Sequence, residues 1–369
     1  MNLSPQQDDA LKAVSRWLKS GRPQVFRLFG FAGTGKTTLA RKIAEEVDGD
    51  VLFAAFTGKA AQVMRNKGCA NARTLHSLIY RPRGEKPEKE TGELQPAFAL
   101  NRGSSVAKAK LVVVDECSMV DEKLGGDLLS FGAPVLVLGD PGQLPPVSGG
   151  GYFTEAAPDI MLTEVHRQAR DNPIIALSQT VREGGRPDFG RYGDSRVIGR
   201  DDIDAEQVLA ADQVLVGRNR TRHSFNRRIR TLKGFDGVLP SAGDKLVCLR
   251  NSSEKGLLNG GLWRVSSVSA RPGPALEMLV KSEEEAGGGS AKIRVLKTMF
   301  ENGPEAVSWE QRRHSDEFDY GYALTVHKAQ GSQWDNLVLF DESFAFRETR
   351  DRWLYTAITR AAEAITIVR

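Results

Sequence analysis

Short apolar runs alternate with amphipathic segments along the first part of the chain. The segment 37–47 has the apolar spacing of a helix, and the runs around it have the length of β-strands. These runs are VFRLFG (25–30), VLFAAF (51–56), LVVVDE (111–116) and PVLVLGD (134–140). Runs that are apolar throughout are typical of strands buried on both faces of a sheet. The pattern predicts an α/β fold in which a parallel sheet is covered by helices.

The same alternation returns in the C-terminal half of the chain. It predicts a second α/β unit, made of residues 171–235 and 316–369, that follows a first unit of residues 1–170. The apolar runs of the second unit are VLVGRN (214–219), YALTVHKAQG (322–331), NLVLF (336–340) and AITIV (364–368).

Two stretches interrupt these units. Residues 236–315 contain short β-like runs separated by Gly, Ser and Pro, which predict a small β-barrel inserted into the second unit. The polar stretch 81–107 is too long for a plain connection, so it predicts a small surface insertion in the first unit, such as a β-hairpin.

The composition is that of an ordinary globular protein. The 369 residues include 51 Lys and Arg against 47 Asp and Glu, a net charge of +4, and 40% of them are hydrophobic. These values exclude a wholly disordered or collagen-like chain. No apolar run reaches the roughly 18–20 residues that span a membrane. The first residues lack the basic and apolar regions of a signal peptide, so we expect no membrane association.

Cysteine usage and charge indicate the compartment and the partner. Cys69, Cys117 and Cys248 lack metal-ligand spacing, and so few cysteines suit the reducing cytosol. We therefore expect a cytoplasmic protein of a bacterium or of a phage-infected host. The slightly basic charge permits a nucleic-acid partner without requiring one.

A phosphate-loop motif lies between a predicted strand and a predicted helix. The residues GFAGTGKT, from Gly30 to Thr37, match GxxxxGK[ST] in the context that the motif requires. Glycines allow backbone N–H groups to surround phosphates at a helix N-terminus. Lys36 is expected to reach the β- and γ-phosphates, and the Thr37 hydroxyl to bind Mg²⁺. We therefore expect ATP and Mg²⁺ as cofactors, and the loop residues that bind them are Gly33, Thr34, Gly35, Lys36, Thr37 and Thr38.

Two acidic residues, Asp115 and Glu116, end the apolar run 111–116. Carboxylates at that point lie at the C-terminal edge of a parallel sheet, beside the phosphate loop. We expect Asp115 to bind Mg²⁺ together with Thr37, and Glu116 to orient or deprotonate an attacking water. The pair favours a nucleotide hydrolase over a nucleotide kinase, although a solvated strand end is the alternative interpretation.

These residues belong to a series of motifs that covers nearly the whole chain. In chain order the motifs are LSPQQDDAL (3–11), GFAGTGKTT (30–38), FTGKAA (56–61), TLHSLIY (74–80), VVVDECSMV (112–120), LVLGDPGQLPPV (136–147), LTEVHRQ (162–168), LTVHKAQGSQWD (324–335) and WLYTAITRA (353–361). With them the chain resembles superfamily 1 helicases of the 5′-to-3′ branch, most closely the RecD-like and Dda-like members. Cys117 is a departure, because Ala or Val is commoner at that position.

The resemblance implies a fold and an ATP site. The fold has two RecA-like domains, with the hairpin insertion as a candidate wedge and an SH3-like barrel in the second domain. Gln7 is then expected to read the adenine edge, and Gln143 to sense the γ-phosphate. Arg167 and Arg360 are expected to act as arginine fingers in cis, and Gly331 to line the nucleotide site.

The resemblance also implies a track for single-stranded DNA. The nominated contacts are Thr57, Lys59, Thr74 and His76 in the first unit and Thr325, His327 and Ser332 in the second. The segment 218–233 has seven Lys and Arg and no acid, so Asn219, Arg222 and Asn226 are further candidates, unless it is only a solvated basic helix face. Phe98 is a candidate wedge at the duplex fork or a buried anchor of the insertion. Trp334 and Phe344 could stack on bases, although core packing is favoured.

The expected activity is ATP-dependent 5′-to-3′ translocation on single-stranded DNA and unwinding of the duplex fork. An RNA helicase of the same superfamily is one alternative, because the residues do not decide the sugar. An ATP-gated single-strand-binding remodeller without processive unwinding is the other. Replication or recombination proteins are the expected partners, the protein is expected to be a monomer, and its role is expected in DNA replication, recombination or repair.

Overall fold

The protein is described here by a computed structural model that covers residues 3–87, 94–145, 151–164, 172–252, 254–269, 272–283 and 289–369. Its residues divide into two compact units. Unit 1 consists of Met1–Arg81, Ala99–Arg200 and Gln330–Arg369, and unit 2 consists of Pro82–Phe98 and Asp201–Ala329. These units differ from the predicted domains, because the residues from Gln330 onward group with the N-terminal part of the chain. The predicted domain limits remain a prediction.

Helices and strands alternate through most of the chain. The strands are β1 (Val25–Gly30), β2 (Val51–Ala55), β3 (Arg73–Thr74), β4 (Tyr80–Pro87), β5 (Leu94–Leu100), β6 (Leu111–Asp115), β7 (Val135–Gly139), β8 (Ile160–Leu162), β9 (Gly190–Tyr192), β10 (Ser195–Ile198), β11 (Gln213–Val216), β12 (Lys245–Cys248), β13 (Leu262–Val268), β14 (Ala275–Ser282), β15 (Ser290–Leu296), β16 (Phe318–Tyr320), β17 (Ala323–Thr325), β18 (Trp334–Phe340) and β19 (Ala361–Val368). The helices are α1 (Pro5–Ser20), α2 (Lys36–Glu45), α3 (Gly58–Asn66), α4 (Leu75–Ile79), α5 (Glu122–Leu129), α6 (Pro173–Arg182), α7 (Ala205–Ala210), α8 (Asn219–Leu232), α9 (Lys297–Glu301), α10 (Trp309–Arg312) and α11 (Arg350–Ile358).

Unit 1 contains a six-stranded parallel sheet in the order β3-β2-β6-β7-β1-β8. Successive side chains of a strand point to opposite faces, so Val113 of β6 joins one core cluster while Val112 and Val114 join the other. The first cluster holds residues of α1, α2 and α3, and the second holds residues of α4 and α5. The predicted parallel sheet with helices on both faces is therefore confirmed.

The same unit contains a shorter group of strands from the C-terminal motifs. Strands β18 and β19 are parallel neighbours, β10 is parallel to β19, and β9 closes the group as an antiparallel strand. Helix α6 packs against α11 and against β19. Because Trp334 pairs with Ala361 at the start of β18 and β19, the residues that precede these two strands lie side by side.

Unit 2 combines a parallel pair with an antiparallel sheet. Strand β11 is parallel to β17, and α8 packs against β17. The antiparallel sheet has the order β15-β14-β13-β12-β16 and ends at Tyr320, five residues beyond the predicted limit of the barrel. Closure of this sheet into an SH3-like barrel remains a prediction. Strands β4 and β5 form a two-stranded sheet within the predicted hairpin insertion, whose residues 88–93 lie outside those described.

Every helix in the part of the chain that the structure describes is too short or too polar to cross a membrane.

Candidate nucleotide site and nucleic-acid surface

The phosphate loop connects the carboxyl end of β1 to the first residue of α2. Gly33 and Gly35 have φ angles of 79° and 76°, in the left-handed region that residues with a Cβ rarely adopt. Thr34 is buried, and its hydroxyl donates a hydrogen bond to the Phe31 carbonyl at 2.8 Å. The loop therefore has a fixed shape at the N-terminus of α2, where backbone N–H groups favour an anion.

Lys36 turns its ammonium group onto its own loop. Its Nζ donates to the carbonyl oxygens of Gly30 at 2.5 Å and of Phe31 at 3.0 Å. A phosphate is a stronger acceptor than these neutral carbonyls, because its hydrogen bond to an ammonium is charge-assisted on both sides. Lys36 is therefore a cation held at the place where a nucleotide phosphate would bind.

Thr37 and Asp115 meet at the carboxyl edge of the sheet. The Thr37 hydroxyl donates to Asp115 Oδ2 at 3.0 Å, and the backbone N–H of Glu116 donates to Asp115 Oδ1 at 2.9 Å. A hydroxyl and a carboxylate are the hard oxygen ligands that Mg²⁺ prefers, usually with several waters retained. The pair therefore fits a magnesium ion bound between the phosphate loop and β6.

Glu116 has an unusual backbone conformation. Its φ of 52° and ψ of 45° place a residue with a long side chain in the left-handed region, which is uncommon outside functional sites. Burial raises the pKa of the Glu116 carboxyl above its usual value. Arg360 and Lys36 oppose that rise, while Asp115 and Asp140 add to it. A carboxylate that is desolvated in this way suits proton transfer from a water.

These groups line one pocket of about 360 Å³ within unit 1. Gln143 follows β7 and is buried, and its Oε1 has no hydrogen-bond partner in the part of the chain that is described. An unpaired buried acceptor is costly unless a ligand or water satisfies it. Other predicted residues that line the pocket are Gly33, Gly35, Lys36, Thr37, Thr38, Asp115, Glu116, Gly331 and Arg360.

Arg360 enters the pocket from the turn between α11 and β19. Its guanidinium donates to the carbonyl of Thr356 at 3.1 Å, to the carbonyl of Ser332 at 3.3 Å and to the Thr359 hydroxyl at 3.4 Å. Gly331 precedes β18 with a φ of 77°, and a Cβ there would lie 3.0 Å from Ala60 Cβ. Close packing of this turn on α3 thus brings Arg360 and the phosphate loop into one site.

Two predicted nucleotide contacts have other outcomes. Gln7 is buried, its Oε1 accepts the Ser4 N–H at 3.1 Å, and its Nε2 donates to the Thr34 carbonyl at 3.0 Å. Gln7 thus caps α1 and ties that helix to the phosphate loop, and its contact with adenine remains a prediction. Arg167 lies outside the described residues.

Sequence reasoning missed two side chains of this site. Asp140 and Tyr355 are buried and hydrogen-bonded to each other, and Asp140 lines the pocket. Both occur inside motifs quoted above, GDPGQLPP and YTAITRA, so the signal was present. Nothing local indicated that residues 215 positions apart would be partners.

The nominated nucleic-acid residues of unit 1 lie at helix starts. Thr57 caps α3 by accepting the Ala60 N–H at 3.1 Å, and Thr74 caps α4 by accepting the Ser77 N–H at 3.2 Å. Lys59 is partly exposed in the first turn of α3. His76 is exposed, and its ring lies 4.7 Å from the Tyr80 ring between centroids. Partial desolvation, with a smaller effect of Lys123, lowers the pKa of His76, so the imidazole is neutral near pH 7.

The prediction that Arg222 and Asn226 contact DNA is wrong. Arg222 is 2% exposed and forms an ion pair with the buried Asp319. Asn226 is 3% exposed, donates to the Ala323 carbonyl at 3.1 Å and accepts the Ala323 N–H at 2.8 Å. Both side chains therefore fix α8 to β17 and β16 within unit 2. Asn219, by contrast, is exposed at the start of α8 and accepts a hydrogen bond from Arg222 at 3.3 Å.

The motif LTVHKAQGSQWD (324–335) is largely buried. Thr325 is 6% exposed, and its hydroxyl accepts the Lys328 N–H at 3.3 Å, which shapes the turn after β17. Burial lowers the pKa of His327, so this ring is also neutral near pH 7. Ser332 is buried and lines the nucleotide pocket, and its contact with DNA remains a prediction. Roles of Thr325 and His327 in DNA binding remain predictions.

The aromatic candidates differ in exposure. Phe98, at the end of β5, is 48% exposed, so it is not a buried anchor. Phe344 is 54% exposed, against the expectation of core packing, whereas Trp334 is partly buried at the start of β18. The wedge role of Phe98 remains a prediction.

The stability role of Arg222 is testable. Arg222→Ala is expected to lower the free energy of unfolding by about 3–5 kcal/mol, because the buried Asp319 carboxylate loses its arginine. Urea unfolding measures this, and the exposed Arg228 of the same helix gives the control Arg228→Ala, expected within about 0.5 kcal/mol of the unchanged protein. Equal effects of the two substitutions would show that the ion pair does not stabilise the fold.

The fold and the pocket define a phosphate-loop nucleotide-binding protein. A family model of an AAA domain matches residues 2–201, more than half of the chain, so the chain belongs to this family. A model of the UvrD-like helicase C-terminal domain matches residues 320–368. The second match and the relatives below agree with the resemblance of the motifs to superfamily 1 helicases of the 5′-to-3′ branch.

Two curated relatives and one solved structure illustrate the similarity. The ATP-dependent RecD2 DNA helicase of Deinococcus radiodurans is 31% identical over 91% of this chain and 46% of its own length. The RecBCD enzyme subunit RecD of Mycobacterium tuberculosis is 26% identical over 98% of this chain and 69% of its own. The chain thus spans less than half of the RecD2 relative.

The solved structure is a Pif1 helicase from Bacteroides in complex with ADP-AlF3 and single-stranded DNA. It superposes with a TM-score of 0.59 at 19% identity, over 99% of this chain and 92% of that chain. At this identity the similarity shows the fold, and it confirms an α/β architecture with two RecA-like domains.

Proposed function

We propose that the protein is an ATP-dependent DNA helicase that moves 5′-to-3′ along single-stranded DNA and unwinds duplex. The observation that carries the proposal is the pocket in which Lys36, Glu116, Gln143 and Arg360 line the same space. A protein that only binds and releases nucleotide needs the phosphate loop alone. Glu116, Gln143 and Arg360 are groups that take part in hydrolysis. The family match, and the DNA helicases among the relatives, support the choice of activity.

The residues divide the work of phosphoryl transfer among them. Transfer of this kind is mostly positioning and charge neutralisation. Lys36 and the N–H groups of the phosphate loop bind the phosphates. Thr37 and Asp115 would hold Mg²⁺, which would supply further positive charge. Glu116 orients the attacking water and takes its proton. The side-chain amide of Gln143 forms a hydrogen bond at the γ-phosphate. Arg360 neutralises charge that develops there.

The proposed DNA track uses polar and basic side chains from both units. Thr57, Lys59, Thr74 and His76 give unit 1 hydroxyl, ammonium and imidazole groups at helix starts, which suit phosphate contacts that ignore sequence. In unit 2 the exposed residues Arg218, Arg220, Arg227, Arg228 and Lys233 of the segment 218–233 add positive charge. Phe98 is proposed as the wedge, since an exposed aromatic can separate or stack on bases.

The test of this function uses paired substrates. Duplexes with a 5′ or a 3′ single-stranded tail are mixed with the protein, with and without ATP, and strand displacement is measured. Opening of only the 5′-tailed duplex, and only with ATP, is expected. Opening of only the 3′-tailed duplex would overturn the polarity, and DNA-stimulated hydrolysis without opening would indicate a remodeller. Stimulation of ATP hydrolysis by RNA but not by DNA would show that the substrate is RNA.

Glu116→Gln is expected to keep ATP binding and to lower kcat by about 10²–10⁴-fold, because glutamine cannot take a proton from water. DNA-stimulated phosphate release measures turnover, and a fluorescent ATP analogue measures binding. Glu45, exposed at the end of α2, gives the control Glu45→Gln, which is expected to leave both quantities unchanged. Normal turnover in Glu116→Gln would remove Glu116 from its proposed role.

A further inference from the structure

Helix α11 reaches the nucleotide site through a tyrosine that is itself buried. The hydroxyl of Tyr355 accepts the backbone N–H of Ala32, in the phosphate loop, at 2.9 Å. It also donates to Asp140 Oδ2, after β7, at 2.7 Å. Tyr355 is 1% exposed, so water does not compete for these two bonds. One hydroxyl therefore joins the phosphate loop to the segment that leads to Gln143.

Asp140 also accepts hydrogen bonds from the backbone of the loop that carries Gln143. Its Oδ1 accepts the Gly142 N–H at 2.9 Å, and its carbonyl accepts the Gln143 N–H at 3.1 Å. The turn packs against the tyrosine ring, because a Cβ on Gly142 would lie 2.9 Å from Tyr355 Cε1. Contacts with Tyr355 and Asp140 thus determine where the backbone of Gln143 lies.

The next residue of α11 makes a second link to the same loop. The Thr356 hydroxyl accepts the Leu144 N–H at 2.8 Å, directly after Gln143. The Thr356 carbonyl in turn accepts a hydrogen bond from Arg360 at 3.1 Å. Helix α11 therefore fixes the Gln143 loop and Arg360 relative to each other, and Tyr355 connects the same helix to the phosphate loop.

We propose that Tyr355 is a positioning residue for ATP hydrolysis, whose hydroxyl fixes the phosphate loop and the Gln143 loop relative to α11, the helix that leads to Arg360. The proposal rests on the proposed ATP hydrolase activity. Loss of the hydroxyl leaves the ring in place and removes only the bonds to Ala32 and Asp140. Because misplacement by about 1 Å can cost 10²-fold in rate, the effect falls on kcat.

The Tyr355 hydroxyl keeps its proton at all ordinary pH values. Burial, with Asp140 as the next cause, raises the pKa of Tyr355 far above its usual value. It can therefore donate to Asp140 and accept from Ala32 at the same time, as a tyrosinate could not. Phenylalanine can do neither, which makes it the informative substitution.

A matched control exists in unit 2. The hydroxyl of Tyr322 also accepts a backbone N–H, that of Lys245 at 3.1 Å, and also donates to a buried carboxylate, Asp244 Oδ1, at 3.0 Å. Tyr322 does not line the nucleotide pocket. Tyr322→Phe thus removes the same kinds of bonds, with a similar cost in stability, and leaves the nucleotide site unaltered.

The experiment compares DNA-stimulated ATP hydrolysis by Tyr355→Phe, Tyr322→Phe and the unchanged protein, at a temperature where unfolding curves show all three folded. Tyr355→Phe is expected to lower kcat by about 10- to 100-fold, with KM for ATP within about twofold, and Tyr322→Phe to change neither. Equal kcat in all three proteins, or an equal decrease in the two variants, would overturn the positioning role. A rise in KM at constant kcat would overturn it as well, since that marks ground-state binding.

A second pair of variants tests the connection through Asp140. If Tyr355 and Asp140 act as one unit, Tyr355→Phe combined with Asp140→Asn is expected to be no slower than the slower single variant. Additive losses in kcat would show that the two residues act separately and would refute the connection. If the unchanged protein hydrolyses no ATP, the proposed function fails. If it hydrolyses ATP and Tyr355→Phe matches it, only the positioning role fails.

Discussion

Arg360→Ala is expected to lower DNA-stimulated kcat by about 10³–10⁵-fold, the range that an arginine finger supplies in phosphoryl transfer. Arg360 is 5% exposed, and the bonds to Thr356, Ser332 and Thr359 hold its guanidinium at the wall of the pocket. A fixed cation stabilises developing charge without reorganising, so its value is greater than that of a solvated one. ATP binding is expected to change much less than turnover.

Two variants make this result specific. Arg360→Lys keeps the charge but has a single ammonium in place of the planar fork, so it is expected to recover only part of the rate. Arg196 lies on β10, and its Nε donates to the Thr366 hydroxyl at 3.1 Å. It gives the control Arg196→Ala. Phosphate release and binding of a fluorescent ATP analogue are measured for each. A kcat for Arg360→Ala within tenfold of the unchanged protein would assign Arg360 to structure alone.

The phosphate-loop half of the site could be predicted because its chemistry is local. The residues from Gly30 to Thr37 are contiguous, and their conformation follows from glycines between a strand and a helix. Asp115 and Glu116 could be placed at the same edge, because parallel strands present their carboxyl ends together. The observed bond between Thr37 and Asp115 is the geometric consequence.

Long-range partners could not be derived in this way. The seven basic residues of 218–233 indicated a charged face, yet Arg222 and Asn226 lie four residues apart on the buried side of α8. That spacing was readable as a helix face, but Asp319, 97 residues from Arg222, gave no local sign of being its partner. A buried arginine requires such a carboxylate, and only the fold shows where one lies.

Tyr355 illustrates the same limit within a recognised motif. The motif YTAITRA directed attention to Arg360, because a cation has an evident use at a phosphate. The hydroxyl five residues earlier had no evident use until Asp140 and Ala32 were seen beside it. Motifs thus indicate chemistry that acts on the substrate, whereas groups that place the chemistry appear only with the fold.

Lys36→Ala is expected to abolish detectable ATP hydrolysis, a loss of at least about 10³-fold, while single-stranded DNA binding largely survives. The ammonium now bonded to the Gly30 and Phe31 carbonyls is the cation of the phosphate loop, and alanine leaves that position neutral. The nominated DNA contacts of unit 1 lie at the starts of α3 and α4, in other elements. Hydrolysis is measured by phosphate release and DNA binding by fluorescence anisotropy without nucleotide.

Lys42 gives the matched control, since it lies on the same helix as Lys36 and does not line the pocket. Lys42→Ala removes the same charge from α2, so any effect of net charge on DNA affinity appears equally in both variants. Equal loss of hydrolysis and DNA binding in Lys36→Ala alone would mean that nucleotide and DNA share a site. Persistent hydrolysis in Lys36→Ala would mean that the pocket around the phosphate loop is not where ATP is cleaved.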